Sequence, residues 1–375
     1  MHALSLYIHI PWCIKKCPYC DFNSHKSPDS LPEKEYINAL VADLKHDLQQ
    51  FPASELSSIF IGGGTPSLLA AESYALLLNE IQKLLVFAQD IEITMEANPG
   101  TAEQKRFADY RKVGINRLSL GIQSFNRTHL QALGRIHDDD QAHKAIEIAR
   151  NAGFDNLNLD IMHSLPNQTV AQGLEDLTMA LKYQPEHLSW YQLTLEPNTV
   201  FYKQKPPLPA EDEVCELEEH GFLLLEEQGL KRYEISAFAR TNKQSRHNLN
   251  YWLFGDYLGI GAGAHGKYTS TKGIVRTRKH RQPSDYLNPN KPYLAAQEPV
   301  LAEDLIFEFM LNATRLDQAI PLNLFTKTTG LDLDYLLPKL TLAVNKKLIT
   351  LNKDHWQVTE LGRKYTNNLQ ELFLP

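Results

Sequence analysis

The sequence is poor in cysteine, in clustered charge and in long apolar runs. Four cysteines in 375 residues are too few for a disulfide framework, which belongs to short, cysteine-dense chains of oxidising compartments. Acidic residues outnumber basic ones, 45 to 38, for a formal net charge of −7, and neither sign forms a block. Nucleic acid is thereby excluded as the main partner, because phosphate binding needs clustered Lys and Arg. No apolar run approaches the length of a membrane span, so no direct membrane anchor is expected. The stretch Met1-His2-Ala3-Leu4-Ser5-Leu6-Tyr7 has no cationic region, and Pro11 interrupts it before a signal-peptide core forms. A cytoplasmic location is expected, where thiols stay reduced and open to iron.

Three of the four cysteines stand in one short stretch, Cys13-Ile14-Lys15-Lys16-Cys17-Pro18-Tyr19-Cys20, spaced C-x3-C-x2-C. Structural zinc takes four ligands, usually as two close pairs; here the remaining thiol, Cys215, lies far away among glutamates. Three close thiolates suit a cubane iron–sulfur cluster with one iron free of protein ligands. Such an iron is left to an exchangeable group.

Apolar strand-like runs alternate with amphipathic helical stretches through the first half. Strands are expected at 4–10, 58–61, 91–95, 117–122, 157–161 and 187–192. Helical stretches fall between them at about 31–50, 67–87, 101–112, 127–151 and 171–183. This alternation predicts an α/β fold with a parallel sheet, either a closed or nearly closed barrel or a doubly wound open sheet. From about Pro197 the repeat breaks: 203–209 reads as an extended linker and 211–228 as another helix. Beyond Val300, helices at 301–314, 322–328 and 333–345 precede a hairpin of 348–351 with 355–358 and a last helix from Glu360. That is a winged-helix-like α+β unit. Its Lys339, Lys346 and Lys347 are interleaved with Asp332, Asp334 and Glu360, which favours packing or a protein partner over DNA.

In a parallel barrel the site forms where strands end and loops begin, and five polar motifs are expected there. The cysteine loop follows the first strand, Gly62-Gly63-Gly64-Thr65-Pro66 the second, Glu96-Ala97-Asn98-Pro99 the third and Gln123-Ser124-Phe125 the fourth; Asp160 ends the fifth. Glycines let backbone approach a ligand, since no Cβ intervenes. Glu96 can accept from a cationic or hydroxyl-bearing ligand. Arg135 can make a two-point contact with a carboxylate or a plain surface ion pair. Gln123 and Asp160 stand in apolar strands and need polar partners, which ribose hydroxyls would supply.

Cys13-x3-Cys17-x-Tyr19-Cys20 resembles the cluster motif of the radical S-adenosylmethionine (SAM) superfamily, in which an aromatic residue precedes the last cysteine. Tyr7-Ile8-His9-Ile10-Pro11-Trp12 and the triple glycine are similar to the branch holding the oxygen-independent coproporphyrinogen III oxidases and their haem-chaperone relatives. The resemblance implies a partial (β/α)6 barrel with a [4Fe-4S] cluster on Cys13, Cys17 and Cys20. SAM would chelate the fourth iron through its amino and carboxylate groups. The family's SAM contacts carry over to Tyr7, Tyr19, Gly63, Gly64, Thr65, Glu96, Gln123, Arg135 and Asp160. Where the chemistry operates, it implies release of a 5′-deoxyadenosyl radical. The implied organisation is a barrel over 1–200, a barrel extension over 201–299 and the winged-helix-like unit over 300–375.

Within that branch, the oxidases carry a further cysteine two residues after the last ligand, where this chain has Phe22, and an extended segment before the cluster, where Cys13 here lies close to the start. His247-Asn248-Leu249-Asn250-Tyr251-Trp252 is similar to the HNxxYW signature of the haem chaperones. In that reading His247 ligates haem iron, while Tyr251 and Trp252 offer flat faces to a porphyrin; the plain reading is a loop histidine beside core aromatics. The resemblance therefore implies a haem chaperone, with a coproporphyrinogen oxidase as the alternative. Its partners would be haem and haem-acceptor proteins, membrane-bound respiratory enzymes among them, and a homodimer is open to it. The GxGxxG pattern within 258–266 lacks the early βαβ context of a dinucleotide site; it is expected to close the sheet or line the site. Cys215 is expected to be an inert helical thiol.

Overall fold

The computed structural model describes residues 4–100, 104 and 106–375; the start of the helix expected at 101 lies outside them. Six strands, β1 (Leu4–Ile10), β2 (Glu55–Gly63), β3 (Val86–Ala97), β4 (Arg117–Gln123), β5 (Leu157–His163) and β6 (His187–Gln192), pair in parallel, each with the next. Their near-continuous apolar runs follow from burial on both faces, as in β1, where every residue but Tyr7 is buried. A doubly wound sheet would reverse its strand order at a switch point. Sequential order excludes that arrangement and leaves the (β/α) barrel.

The barrel is partial. A hairpin of β7 (Lys231–Glu234) and β8 (Ala237–Ala239) continues the sheet antiparallel beyond β6. On the other edge β9 (Tyr257–Ile260) joins β1 in parallel, and β10 (His265–Ser270), β11 (Gly273–Lys279) and β12 (Leu294–Pro299) follow antiparallel. The ends of this 12-stranded sheet stay unpaired with each other. The GxGxxG stretch, expected to close the sheet or line the site, leaves the sheet open and forms the tight turn from β9 to β10 beside β1. A Cβ on Gly259 would lie 1.9 Å from the His265 carbonyl oxygen, and Gly261 has φ +102°, so close strand approach demands the glycines.

Several elements differ from expectation. The helix expected at 67–87 is a single turn, Pro66–Leu68, followed by Ala71–Gln82, because β3 already begins at Val86. The stretch 127–151 holds two helices, Arg127–Ala132 and Asp139–Asn151. The expected linker at 203–209 is partly helical, since Val200–Gln204 forms a turn capped by Thr199 and ended by Lys205 at φ +48°.

At the C-terminal end, helices Ala302–Ala313, Leu322–Thr329 and Leu337–Asn345 pack against a three-stranded sheet of Ile320–Pro321, His355–Val358 and Ile349–Leu351. Phe309, Phe325 and Trp356 form the centre of this second core, which Phe254 and Ile274 also join. Lys339 is spent on the carbonyls of Phe373 and Leu374. Among the described residues no helix is long and apolar enough to cross a membrane.

Candidate functional site

Past the end of β1, Pro11 leads into a two-residue strand, Trp12–Cys13, paired in parallel with His25–Lys26. The loop between them carries the thiols. It is fixed by backbone bonds: His25 N–H donates to the Pro11 carbonyl (2.7 Å), Ser27 N–H to Cys13 (2.8 Å) and Cys20 N–H to Cys17 (3.1 Å). Each sulfur has a polar neighbour. Thr65 Oγ1 donates to Cys13 Sγ at 3.5 Å, Arg135 Nη1 to Cys17 Sγ at 3.6 Å, and Ser24 Oγ lies 3.9 Å from Cys20 Sγ. Burial pushes the Cys13 and Cys20 thiols up, and such neighbours favour the thiolates that iron needs. Among the described residues no three His, Cys, Asp or Glu side chains gather closely enough for a single metal ion. Three thiols on one short loop, each with a polar neighbour, are the kind of donor set a cubane takes, since it spreads its thiolates over separate irons.

Arg135 sits between the helices Arg127–Ala132 and Asp139–Asn151. Its Nη2 donates to Asn98 Oδ1 (2.6 Å) and the Gly121 carbonyl (2.9 Å), while its Nε is buried with no partner among the described residues. A cleft lined by Cys17, Thr65, Asn98 and Arg135 opens beside the loop. An orphaned guanidinium donor beside that cleft is a ready contact for an anionic group such as a carboxylate. Asn98 also donates to Thr65 Oγ1 at 3.0 Å and so ties the second and third strand ends together. Tyr19 packs against Phe201, ring centroids 6.3 Å apart.

The glycines have a structural reason of their own. A Cβ on Gly64 would lie 2.5 Å from the Trp12 carbonyl oxygen, and one on Gly63, at φ +111°, within 2.5–2.9 Å of the His9 ring. The cysteine loop therefore packs directly on this turn. Gly63 N–H donates to Glu96 Oε2 (3.0 Å) and Gly64 N–H to the Ile10 carbonyl (2.7 Å), so both amides are engaged and an incoming amine meets oxygen acceptors here, the Glu96 carboxylate among them.

Glu96, next to last on β3, has its carboxyl pushed up to about 8 by burial and by Asp160. Asp160 lies mid-strand, not at the strand end as expected, because β5 runs on to His163. Ser119 Oγ and Asn158 Nδ2 donate to it at 2.9 and 2.8 Å, yet burial still raises it. Two buried carboxyls, one of them raised by the other's charge, call for a cationic or hydroxyl-rich ligand. Gln123 ends β4 at φ +69° and accepts from Tyr191 OH at 2.8 Å. Tyr7 OH bonds His9 Nδ1 (2.9 Å), and His9 Nε2 bonds the Asn23 carbonyl (2.8 Å). Sequence reasoning passed over His9, Asn98 and Ser24. For His9 a signal existed, since Ser5, Tyr7 and His9 place polar groups on one face of a strand at period two.

His247 lies below this mouth, its ring 6.4 Å from that of Tyr7. It lies on the helix Arg246–Trp252, capped by Ser245; its ring is 1% exposed and stacked on Phe60 at 5.1 Å. Nδ1 is 3.2 Å from Ser58 Oγ and Nε2 2.8 Å from Tyr251 OH. Because Ser58 donates to Ser5 Oγ, Nδ1 carries the proton that Ser58 accepts, and Nε2 accepts from Tyr251. Burial holds the ring down at about 3. Ser5 and Ser58 lie in the N-terminal halves of β1 and β2, whereas the cysteine loop follows the C-terminal end of β1. The structure thus brings together Tyr7, Glu96, Asp160 and the cysteine-loop contacts, and places His247 at the base of the barrel. In this arrangement iron can reach Nε2 only by displacing Tyr251.

Two family models match the sequence: the Radical SAM superfamily over residues 7–180 and the HemN C-terminal domain over residues 300–365. The chain is 50% identical to the heme chaperone HemW of Haemophilus influenzae, with 99% of this chain and 98% of the relative covered. It is 48% identical to the heme chaperone HemW of Escherichia coli, with the same shares. Among solved structures, the coproporphyrinogen III oxidase HemN from Escherichia coli superposes over 99% of this chain and 90% of its own, with a TM-score of 0.83 at 22% identity. That likeness is one of fold.

Proposed function

Because the chain belongs to the HemW family of heme chaperones within the radical SAM superfamily, we propose that it binds haem and passes it to acceptor proteins. The observation that carries this reading is 50% identity to a heme chaperone over nearly the whole length of both chains. Phe22 supports it: it stands where the resembling oxidases have their further cysteine, and it is 61% exposed.

In this reading Cys13, Cys17 and Cys20 hold a [4Fe-4S] cluster whose fourth iron takes exchangeable SAM. Where the radical chemistry operates, such a cluster would supply a low-potential electron to the SAM sulfonium. The chain's own work is binding and orientation. Thr65, Arg135 and Ser24 stabilise the thiolates, Arg135 Nε meets the SAM carboxylate, and the glycine turn offers its carbonyls to the amine. Glu96 and Asp160 take positive and hydroxyl groups, with Tyr7, Tyr19 and Gln123 enclosing them. Haem belongs to the HNxxYW element that begins at His247. The acceptors include membrane-bound respiratory enzymes, and the protein works in the cytoplasm, where its thiols stay reduced.

The test is an anaerobic haem titration of cluster-reconstituted protein followed in the Soret region, then mixing of the loaded protein with an apo-acceptor. Saturable binding near one haem per chain and transfer to the acceptor are expected. Decarboxylation of coproporphyrinogen III without saturable haem binding would overturn the reading in favour of the oxidase.

A further inference from the structure

The inference rests on the haem reading above and concerns where and how the porphyrin sits. The C-terminal end of the helix Arg246–Trp252 borders a cavity of about 200 Å³ walled by Tyr251, Trp252, Phe254 and Tyr257. Three parts of the molecule meet there: this helix, the strands β9 to β11, and the helix Ala302–Ala313, which contributes Asn312. Tyr251 stands edge-on to Tyr257, ring centroids 4.4 Å apart at 73°. The Trp252 indole N–H is buried with no hydrogen-bond partner among the described residues, and Arg315 lies 4.3 Å over its ring.

Two cations also face this cavity, and both are matched. Lys267 Nζ bonds Asp256 Oδ1 (2.8 Å) and the Phe254 carbonyl (3.0 Å). Arg276 bonds the Glu308 carboxylate and Tyr257 OH, the latter at 3.0 Å. A dianionic group therefore finds no spare charge here, whereas a flat apolar group finds the rings of Tyr251, Trp252 and Tyr257, Phe254 being covered by Lys267. Haem is built with that asymmetry: two propionates on one edge, methyl and vinyl groups on the other. The volume is below the ~300–1,000 Å³ of pockets that enclose a whole drug-sized ligand, so it suits part of a macrocycle, with the carboxylates left in water. His247 does not line this space. It reaches the wall through one contact, the hydroxyl of Tyr251 held on its Nε2.

We propose that the apolar edge of haem enters this cavity against Tyr251 and Trp252, and that His247 is a positioning residue for Tyr251, not the iron's ligand. The experiment titrates haem, iron-free protoporphyrin IX and haem dimethyl ester into the cluster-reconstituted full chain. Wild type is compared with Trp252→Ala, Asn312→Phe and His247→Ala, each checked for an unchanged cluster spectrum and thermal transition. Asn312→Phe narrows the cavity from an element outside the motif, and among the described residues the Asn312 side chain bonds only the Glu308 carbonyl of its own helix (2.7 Å). Trp252→Ala and Asn312→Phe are expected to weaken all three ligands about ten-fold or more. The ester should bind wild type about as tightly as haem, and His247→Ala should weaken haem and protoporphyrin by the same factor. Unchanged binding in Trp252→Ala and Asn312→Phe would remove the cavity as the site while leaving the haem reading intact. A His247→Ala loss confined to haem would restore His247 as the ligand. If wild type binds none of the three, the haem reading itself fails and this proposal with it.

Discussion

A glutamate ordinarily ionises near pH 4.5, and at the end of β3 burial and Asp160 move Glu96 up to about 8. Between those values the folded chain holds a proton that the unfolded chain releases. Stability contributed by this group therefore falls as pH rises through the window. Denaturant unfolding of cluster-free protein between about pH 5 and 8 should show that decline, and Glu96→Gln should flatten it; a slope unchanged by the substitution would count against the assignment. A cationic ligand that needs the ionised carboxylate should bind more tightly as pH rises towards 8, with the same substitution abolishing the trend. At this scale the residue types were legible in the sequence, but their environments were not. Arg135 stood open between a carboxylate clamp and a surface ion pair. Only packing shows it aimed at Cys17, Asn98 and Gly121 with Nε to spare.

The cysteine loop and the glycine turn act as one element, stacked so closely that backbone faces backbone. Gly64→Ala would set a methyl 2.5 Å from the Trp12 carbonyl and 2.9 Å from that of Ile10, and neither atom belongs to a flexible side chain. The clash should cost about 1–3 kcal/mol and shift the strand that carries Cys13. Iron and sulfide bound per chain after anaerobic reconstitution should fall well below wild type, at a circular dichroism spectrum that stays native. Full cluster content in the variant would show that the loop has slack. The long apolar strands were readable because both faces are buried, which erases alternation but leaves a continuous apolar run. The hairpin β7–β8 was not, since Lys231-Arg232-Tyr233-Glu234 carries no strand period and pairs only with β8, which itself forms on the edge that β6 presents. The boundary of β5 was missed for a related reason: Met162 and His163 look like a loop start, but β6 pairs with them to the end.

Across the whole molecule, the sheet edge built by β9 to β11 is tied to the first barrel helix, Glu33–Gln50, by a buried ion group. Lys279 of β11 bonds both Asp43 and Asp47, all three being at most 1% exposed, and Tyr286 OH donates to Asp43. Burial first, with Asp47 adding, raises Asp43 to about 6 despite the lysine. Removing the cation alone by Lys279→Met should cost about 3–5 kcal/mol in denaturant unfolding, because two carboxyls are left buried without it. Replacing the lysine and both aspartates together by apolar residues should recover most of that loss; equal losses in the two variants would show that packing, not charge, sets the cost.

By itself, the sequence determined the α/β alternation, the winged-helix-like end and the three-thiol loop. All of these rest on local spacing: periods of two and 3.6, and ligands within a single turn of chain. The tertiary structure decided between a barrel and a doubly wound sheet, since strand order depends on which edges meet. It also decided the neighbours of each polar group. Glu96 and Asp160 are far apart in sequence, and Asp160 raises Glu96 only because β3 and β5, with β4 between them, curve around a common interior. His247 lies at the base of that interior because Ser58 and Tyr251 satisfy both its ring nitrogens there, and no spacing along the chain reveals which end of a barrel a helix will close.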